Sequence, residues 1–109
     1  MAKYEKTING QFEEVIHHLE NDISISGITM NLVDESNYTY GDINIAVRVY
    51  DKYYMRNGAS LSLTVVSKGS NIFISAIGAG EGKGIIFNFS LGAEDDMVAV
   101  VERSVEGME

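Results

Sequence analysis

From Ile43 to Val66 the chain reads INIAVRVYDKYYMRNGASLSLTVV, two alternating runs on either side of Arg56-Asn57-Gly58. Ile43, Ile45, Val47 and Val49 recur at period two, and so do Ala59, Leu61, Leu63 and Val65. Successive side chains of a strand point to opposite faces, so this spacing gathers each set on one side of a sheet. Asn-Gly supplies the positive φ values that a tight hairpin turn needs. The stretch therefore predicts a β-hairpin at the centre of a half-buried antiparallel sheet, with the two apolar sets turned toward a core.

Before the hairpin the period changes twice. Lys3 to Ile8 alternates weakly, Tyr4 and Ile8 on one side and Glu5 and Thr7 on the other, as in a first strand. Asn9-Gly10 ends that strand and can cap the next element. Phe12, Val15, Ile16, Leu19 and Ile23 then fall at helical spacing, with Glu13 and Glu14 in the first turn where the helix dipole favours acids. A helix is predicted from about residue 11 to about residue 22. Ile28, Met30 and Leu32 alternate with Thr29, Asn31 and Val33 as a second strand. Asp34-Glu35-Ser36-Asn37 and Gly41-Asp42 read as turns.

After the hairpin, Ser67-Lys68-Gly69-Ser70 reads as a turn and Asn71 to Ile77 as a fifth strand. Gly78 to Gly84 is a glycine-rich loop, and Ile85 to Leu91 a sixth strand. Met97, Val101, Ser104, Val105 and Met108 share one helical face, with Val98 and Val100 beside it and Glu94, Asp95 and Asp96 in the first turn. The expected class is α+β: a single antiparallel sheet of five to six strands with two helices packed on one face, in the order β-α-β-β-β-β-β-α. That order resembles the TATA-binding-protein-like (TBP-like) and helix-grip arrangements. The resemblance concerns topology and implies no function.

Length and composition narrow the function classes. At 109 residues the chain is read as one domain, 1–109, able to bury roughly two thirds of its unfolded surface. With no cysteine it offers no disulfide, thiolate nucleophile or cysteine-type zinc site. It opens MAKYEKTING, without an apolar stretch of signal-peptide length, and no run approaches the ~18 to 20 apolar residues of a membrane span. A cytoplasmic protein that does not enter a membrane is expected. Sixteen acidic residues against eight basic ones give a formal net charge of −8, a field that repels nucleic acid and anionic lipid surfaces.

Few residues suggest chemistry. Arg48, Tyr50, Lys52, Tyr54 and Arg56 alternate along the third strand, on the side opposite its aliphatic set. Basic and aromatic groups at period two can stack bases and hold phosphates. Net charge argues against that use, and arginine with tyrosine also marks protein interfaces. These five residues are the candidate interaction surface, against the plainer reading of a solvated strand face. The loop Gly78-Ala79-Gly80-Glu81-Gly82-Lys83-Gly84 fails as a phosphate cradle. Ile77 stands where a Walker loop needs its first glycine, and Gly84 where it needs a hydroxyl. His17 and His18 do not share a helical face, and Glu14-x-x-His17 would be half of a di-metal site with no second copy. Both read as surface histidines. Asp34-Glu35 and Glu94-Asp95-Asp96 read as turn and cap carboxylates before they read as calcium ligands. No base is placed to activate a serine, so neither an enzyme nor a cofactor is expected.

The segments LVDES (32–36), IAVRVYDKYY (45–54) and FISAIGAG (73–80) resemble those of a family of small bacterial proteins, mainly from Gram-positive bacteria, classed as a domain of unknown function. The resemblance implies a bacterial, cytoplasmic, stand-alone domain and carries over no catalytic residue. The function expected is therefore association without catalysis, by self-association or contact with another protein, as a homo-oligomer, most simply a dimer, through the open sheet face or an edge strand. The alternative is a small apolar ligand held between the sheet and the C-terminal helix.

Overall fold

The computed structural model describes residues 2–54, 57–80 and 91–109. The elements are β1 (Ala2–Asn9), α1 (Phe12–Ser24), β2 (Asn31–Tyr40), β3 (Ile43–Tyr54), β4 (Asn57–Lys68), β5 (Asn71–Gly80) and α2 (Leu91–Met108). The five strands form one antiparallel sheet in the order β1-β5-β4-β3-β2. Strands β2 to β5 are a meander. Its turns at Gly41-Asp42 and Gly69-Ser70 each place a glycine at positive φ, 60° and 62°, where a side chain would be strained. β1 joins beyond β5, so the chain crosses from one edge of the sheet to the other through α1. Thirteen helical residues rise ~20 Å, which matches the ~19 Å from β1 to β2 over four strand spacings.

Both helices lie on one face, as their single apolar stripes require. Val15, Ile16, Leu19 and Ile23 of α1 and Met97, Val98, Val100, Val101 and Val105 of α2 are buried in one cluster with Leu61, Leu63, Val65, Ile72, Ile74 and Ala76 of the sheet. α2 runs over β5, β1 and β4. It approaches the sheet tightly at Gly78, where a Cβ would stand 2.9 Å from the Glu94 carbonyl oxygen and 2.9 Å from Val98 Cγ2.

Four boundaries differ from the sequence reading. The cap of α1 is Gln11, whose side-chain oxygen accepts from the Glu14 N–H at 3.2 Å, not Asn9-Gly10. β2 runs from Asn31 to Tyr40, so Asp34 to Asn37 is strand and not turn, while Ile28 to Met30 precedes it. A polar sequence can pair there because β2 is an edge strand with every residue exposed, where ladder hydrogen bonds matter and burial does not. Gly78 to Gly80 continue β5. Of the expected sixth strand, Leu91 begins α2 and 85–90 lie outside the described residues, as do 81–84 of the glycine-rich loop.

The largest difference lies in the hairpin. β3 and β4 pair Tyr54 with Asn57 and Arg48 with Leu63, leaving a two-residue connection at 55–56. Asn57 and Gly58 belong to β4 and are not the turn's centre. In this register even-numbered residues of β3 share a face with odd-numbered residues of β4. Ala59, Leu61, Leu63 and Val65 do face the helices, as expected, and they carry Ala46, Arg48 and Tyr50 inward with them. Ile43, Ile45, Val47 and Val49 are left on the open face, half-buried. A shift of one residue in a strand's register inverts every side chain, and this is such an inversion.

Candidate interaction surface

Arg48 and Tyr50, expected in the open, are only 7% and 6% exposed and lie beneath α1. An inward guanidinium is tolerable only when its donors are satisfied. Arg48 Nε donates to Glu20 Oε2 of α1 at 2.9 Å and lies 3.2 Å from Glu35 Oε1 of β2. Its Nη1 donates to Asn37 Oδ1 at 2.9 Å and to the Val47 carbonyl at 3.1 Å. One side chain thereby ties the exposed edge strand to the helix layer. Lys52 is half-buried on the same side of β3. Tyr54 ends β3, with its side chain outside the described part, and Arg56 lies outside the described residues. Arg48, Tyr50 and Lys52 do not form an open basic and aromatic stripe, because their pleat turns toward the helices.

The face that is open carries a different set. Register aligns Tyr38 with Ile45, Ile45 with Val66, and Val66 with Phe73, so one apolar row crosses four adjacent strands and ends at Thr7 of β1. Tyr40 and Ile43 continue it at one side, and Val47, Val49 and Ile77 are scattered beyond. Tyr38, Tyr40, Phe73 and Ile77 are 59%, 70%, 39% and 39% exposed. Two signals could have found this surface: the alternation of Tyr38 and Tyr40 between two segments read as turns, and the parity of a two-residue hairpin connection.

Charge divides between the two sides of the molecule. Register puts Lys3, Glu5, Asp34, Asp51 and Lys68 on the open face, two cations against three carboxylates. The helices carry Glu13, Glu14, Glu20, Asp22, Glu94, Asp95, Asp96, Glu102 and Glu106 against Arg103. Most of the net charge of −8 therefore stands on the helix side.

His17 and His18 are exposed on α1, and His18 Nε2 meets Asp22 Oδ2 at 3.1 Å one turn on. The Asp34 side chain accepts from the Glu35 N–H at 2.8 Å, and Glu94 is buried under α2's first turn. Among the described residues no group of His, Asp or Glu is arranged to hold a metal ion. No helix among them is long and apolar enough to cross a membrane.

The model of a family of unknown function, DUF6054, matches residues 1–109, and the chain belongs to that family. No curated protein matches the chain.

Proposed function

We propose that this member of a family of unknown function acts by association, and that its open sheet face seats a second copy of the same chain. The observation that carries the reading is the apolar row Tyr38–Ile45–Val66–Phe73, exposed on a face that no element of the described chain covers. A contiguous exposed apolar patch on a globular domain marks a contact surface more often than chance. Charge favours a second copy as the occupant. Sheet-to-sheet packing brings together the nearly neutral faces and turns both acidic helix layers outward, away from each other.

Area agrees with this reading. Five strands ~4.8 Å apart, paired over eight residues rising ~3.3 Å each, make a face of ~600 Å². Two such faces bury ~1,200 Å², the lower end of the range for stable interfaces. The apolar-ligand alternative finds less support, since Met97, Val101, Val105, Leu61 and Ile74 between sheet and α2 are already without exposed surface.

Light scattering on the wild type and on a Tyr38→Glu, Phe73→Glu double variant tests the proposal. The wild type is expected to be a dimer. The double variant is expected to be a monomer with an unchanged circular dichroism spectrum, because neither side chain belongs to the core. A monomeric wild type, or a folded double variant that remains dimeric, overturns the reading.

A further inference from the structure

Where α1 ends, the chain builds a cleft. Ile25 N–H donates to the Asn21 carbonyl, and the Ser26 hydroxyl donates to the Ile23 carbonyl at 3.0 Å while accepting from the Ile28 N–H at 3.2 Å. Gly27, at φ 88°, then turns the backbone away from the helix and toward β2. The space left between this turn, the end of α1 and the edge of the sheet is about 410 Å³, within the range of small-molecule sites. Ile23, Ile28, Met30, Leu32 and Tyr50 line it together with Glu20.

Among the described residues that line the cleft, Glu20 is the charged one, beside the polar Ser24 and Thr29. Arg48 is shared between two carboxylates, Glu20 and Glu35, so these three groups together carry one negative charge in excess. The same imbalance is felt at the Tyr50 hydroxyl, which burial holds protonated above the ordinary tyrosine range. Glu20 raises it further, Arg48 offsets part of this, and Glu35 raises it again. An aromatic ring, apolar walls and a surplus carboxylate together suit a group that is apolar on one side and positively charged on the other.

We propose that this cleft is a binding site for a small organic cation, an amine on an apolar body, with the ammonium directed to Glu20 and the body against Tyr50, Ile23 and Leu32. The site is independent of the open sheet face, which lies on the other side of the sheet, so the two proposals stand or fall separately.

Three probes that share one ring and differ in charge decide it: benzylamine, benzyl alcohol and benzoate, each titrated into isotopically labelled protein by NMR. Benzylamine is expected to shift the amides of Ile23, Gly27, Met30 and Tyr50 saturably, with the alcohol and the acid at least ~10-fold weaker. Glu20→Gln is expected to weaken benzylamine by about 10-fold. Since that change also removes a charge facing Arg48, a second variant, Ser24→Lys, keeps both carboxylates, places a cation on the exposed rim one helical turn from Glu20, and is expected to abolish the shifts. Equal binding of the three probes, shifts centred elsewhere, no saturable shift at ~10 mM, or full binding to folded Ser24→Lys each overturns the proposal.

Discussion

Two buried polar groups behave differently at the scale of single residues. Arg48 is engaged through Nε and Nη1, and its partners Glu20 and Glu35 keep 38% and 51% of their side-chain surface in water. Removing the arginine therefore leaves carboxylates that can resolvate, so the loss is smaller than for a deeply buried pair. Arg48→Met keeps the apolar stem and is expected to cost about 1–2 kcal/mol in urea unfolding, with most of the loss in the docking of β2. Hydrogen exchange of β2 amides checks the second half: faster exchange confined to 31–40 is expected, and uniform acceleration would contradict it. The Tyr4 hydroxyl is the opposite case, buried with no hydrogen-bond partner among the described residues. Deleting an unsatisfied buried hydroxyl removes a cost and not a bond. Tyr4→Phe is expected to melt at the wild-type temperature or above it, and a clearly lower melting point would show that the hydroxyl is bonded.

Among the elements, α2 and β2 mark the extremes. α2 turns Met97, Val101 and Val105 into the core with no exposed surface, while Glu102 beside them is exposed. Val101→Asp would place an unpaired carboxylate in the buried cluster that also holds Leu61 and Ile74, a penalty of several kcal/mol for a domain whose total stability is of order ~5–15 kcal/mol. It is expected to leave the protein unfolded or insoluble, whereas Glu102→Ala should melt within a few degrees of the wild type. Similar melting curves for the two variants would refute the packing of this helix. β2 has no buried residue and is held by its ladder to β3, by the Thr39 hydroxyl donating to Asn44 Oδ1 at 2.9 Å, and by Arg48. Such an element opens at lower free energy than the core it adjoins.

For the molecule as a whole, the separation of charge governs assembly. Two copies of net charge −8 repel at long range, and that repulsion is screened as the Debye length falls from ~30 Å at 0.01 M salt to ~3 Å at 1 M. Contact through a row of Tyr, Ile, Val and Phe does not depend on ion pairs. Dimerisation measured by sedimentation is therefore expected to tighten as salt rises across that range. Weakening with salt would point to an interface made by opposite charges and away from the apolar row. The same field, with Arg48 and Tyr50 turned beneath α1, leaves no open basic and aromatic stripe among the described residues to receive nucleic acid, and oligonucleotides are expected not to shift at micromolar protein.

Periodicity alone determined both helices, the β1 and β5 strands, the hairpin and the α+β class, because the stripes of Val15, Leu19 and Ile23 and of Met97, Val101 and Val105 admit one buried side each. The inward set of β4 was legible for the same reason. Only tertiary structure decided which side of β3 is inward. Both sides carry residues that can be buried, aliphatic chains on one and an arginine and a tyrosine with long apolar stems on the other. The choice rests on a two-residue connection and on Glu20, Glu35 and Asn37 arriving from other elements to satisfy one guanidinium. The exposed row from Tyr38 to Phe73 follows from that choice, and strand order and the extent of β2 were likewise decided by tertiary structure. Each depends on pairing between residues far apart in the chain, which local alternation does not encode.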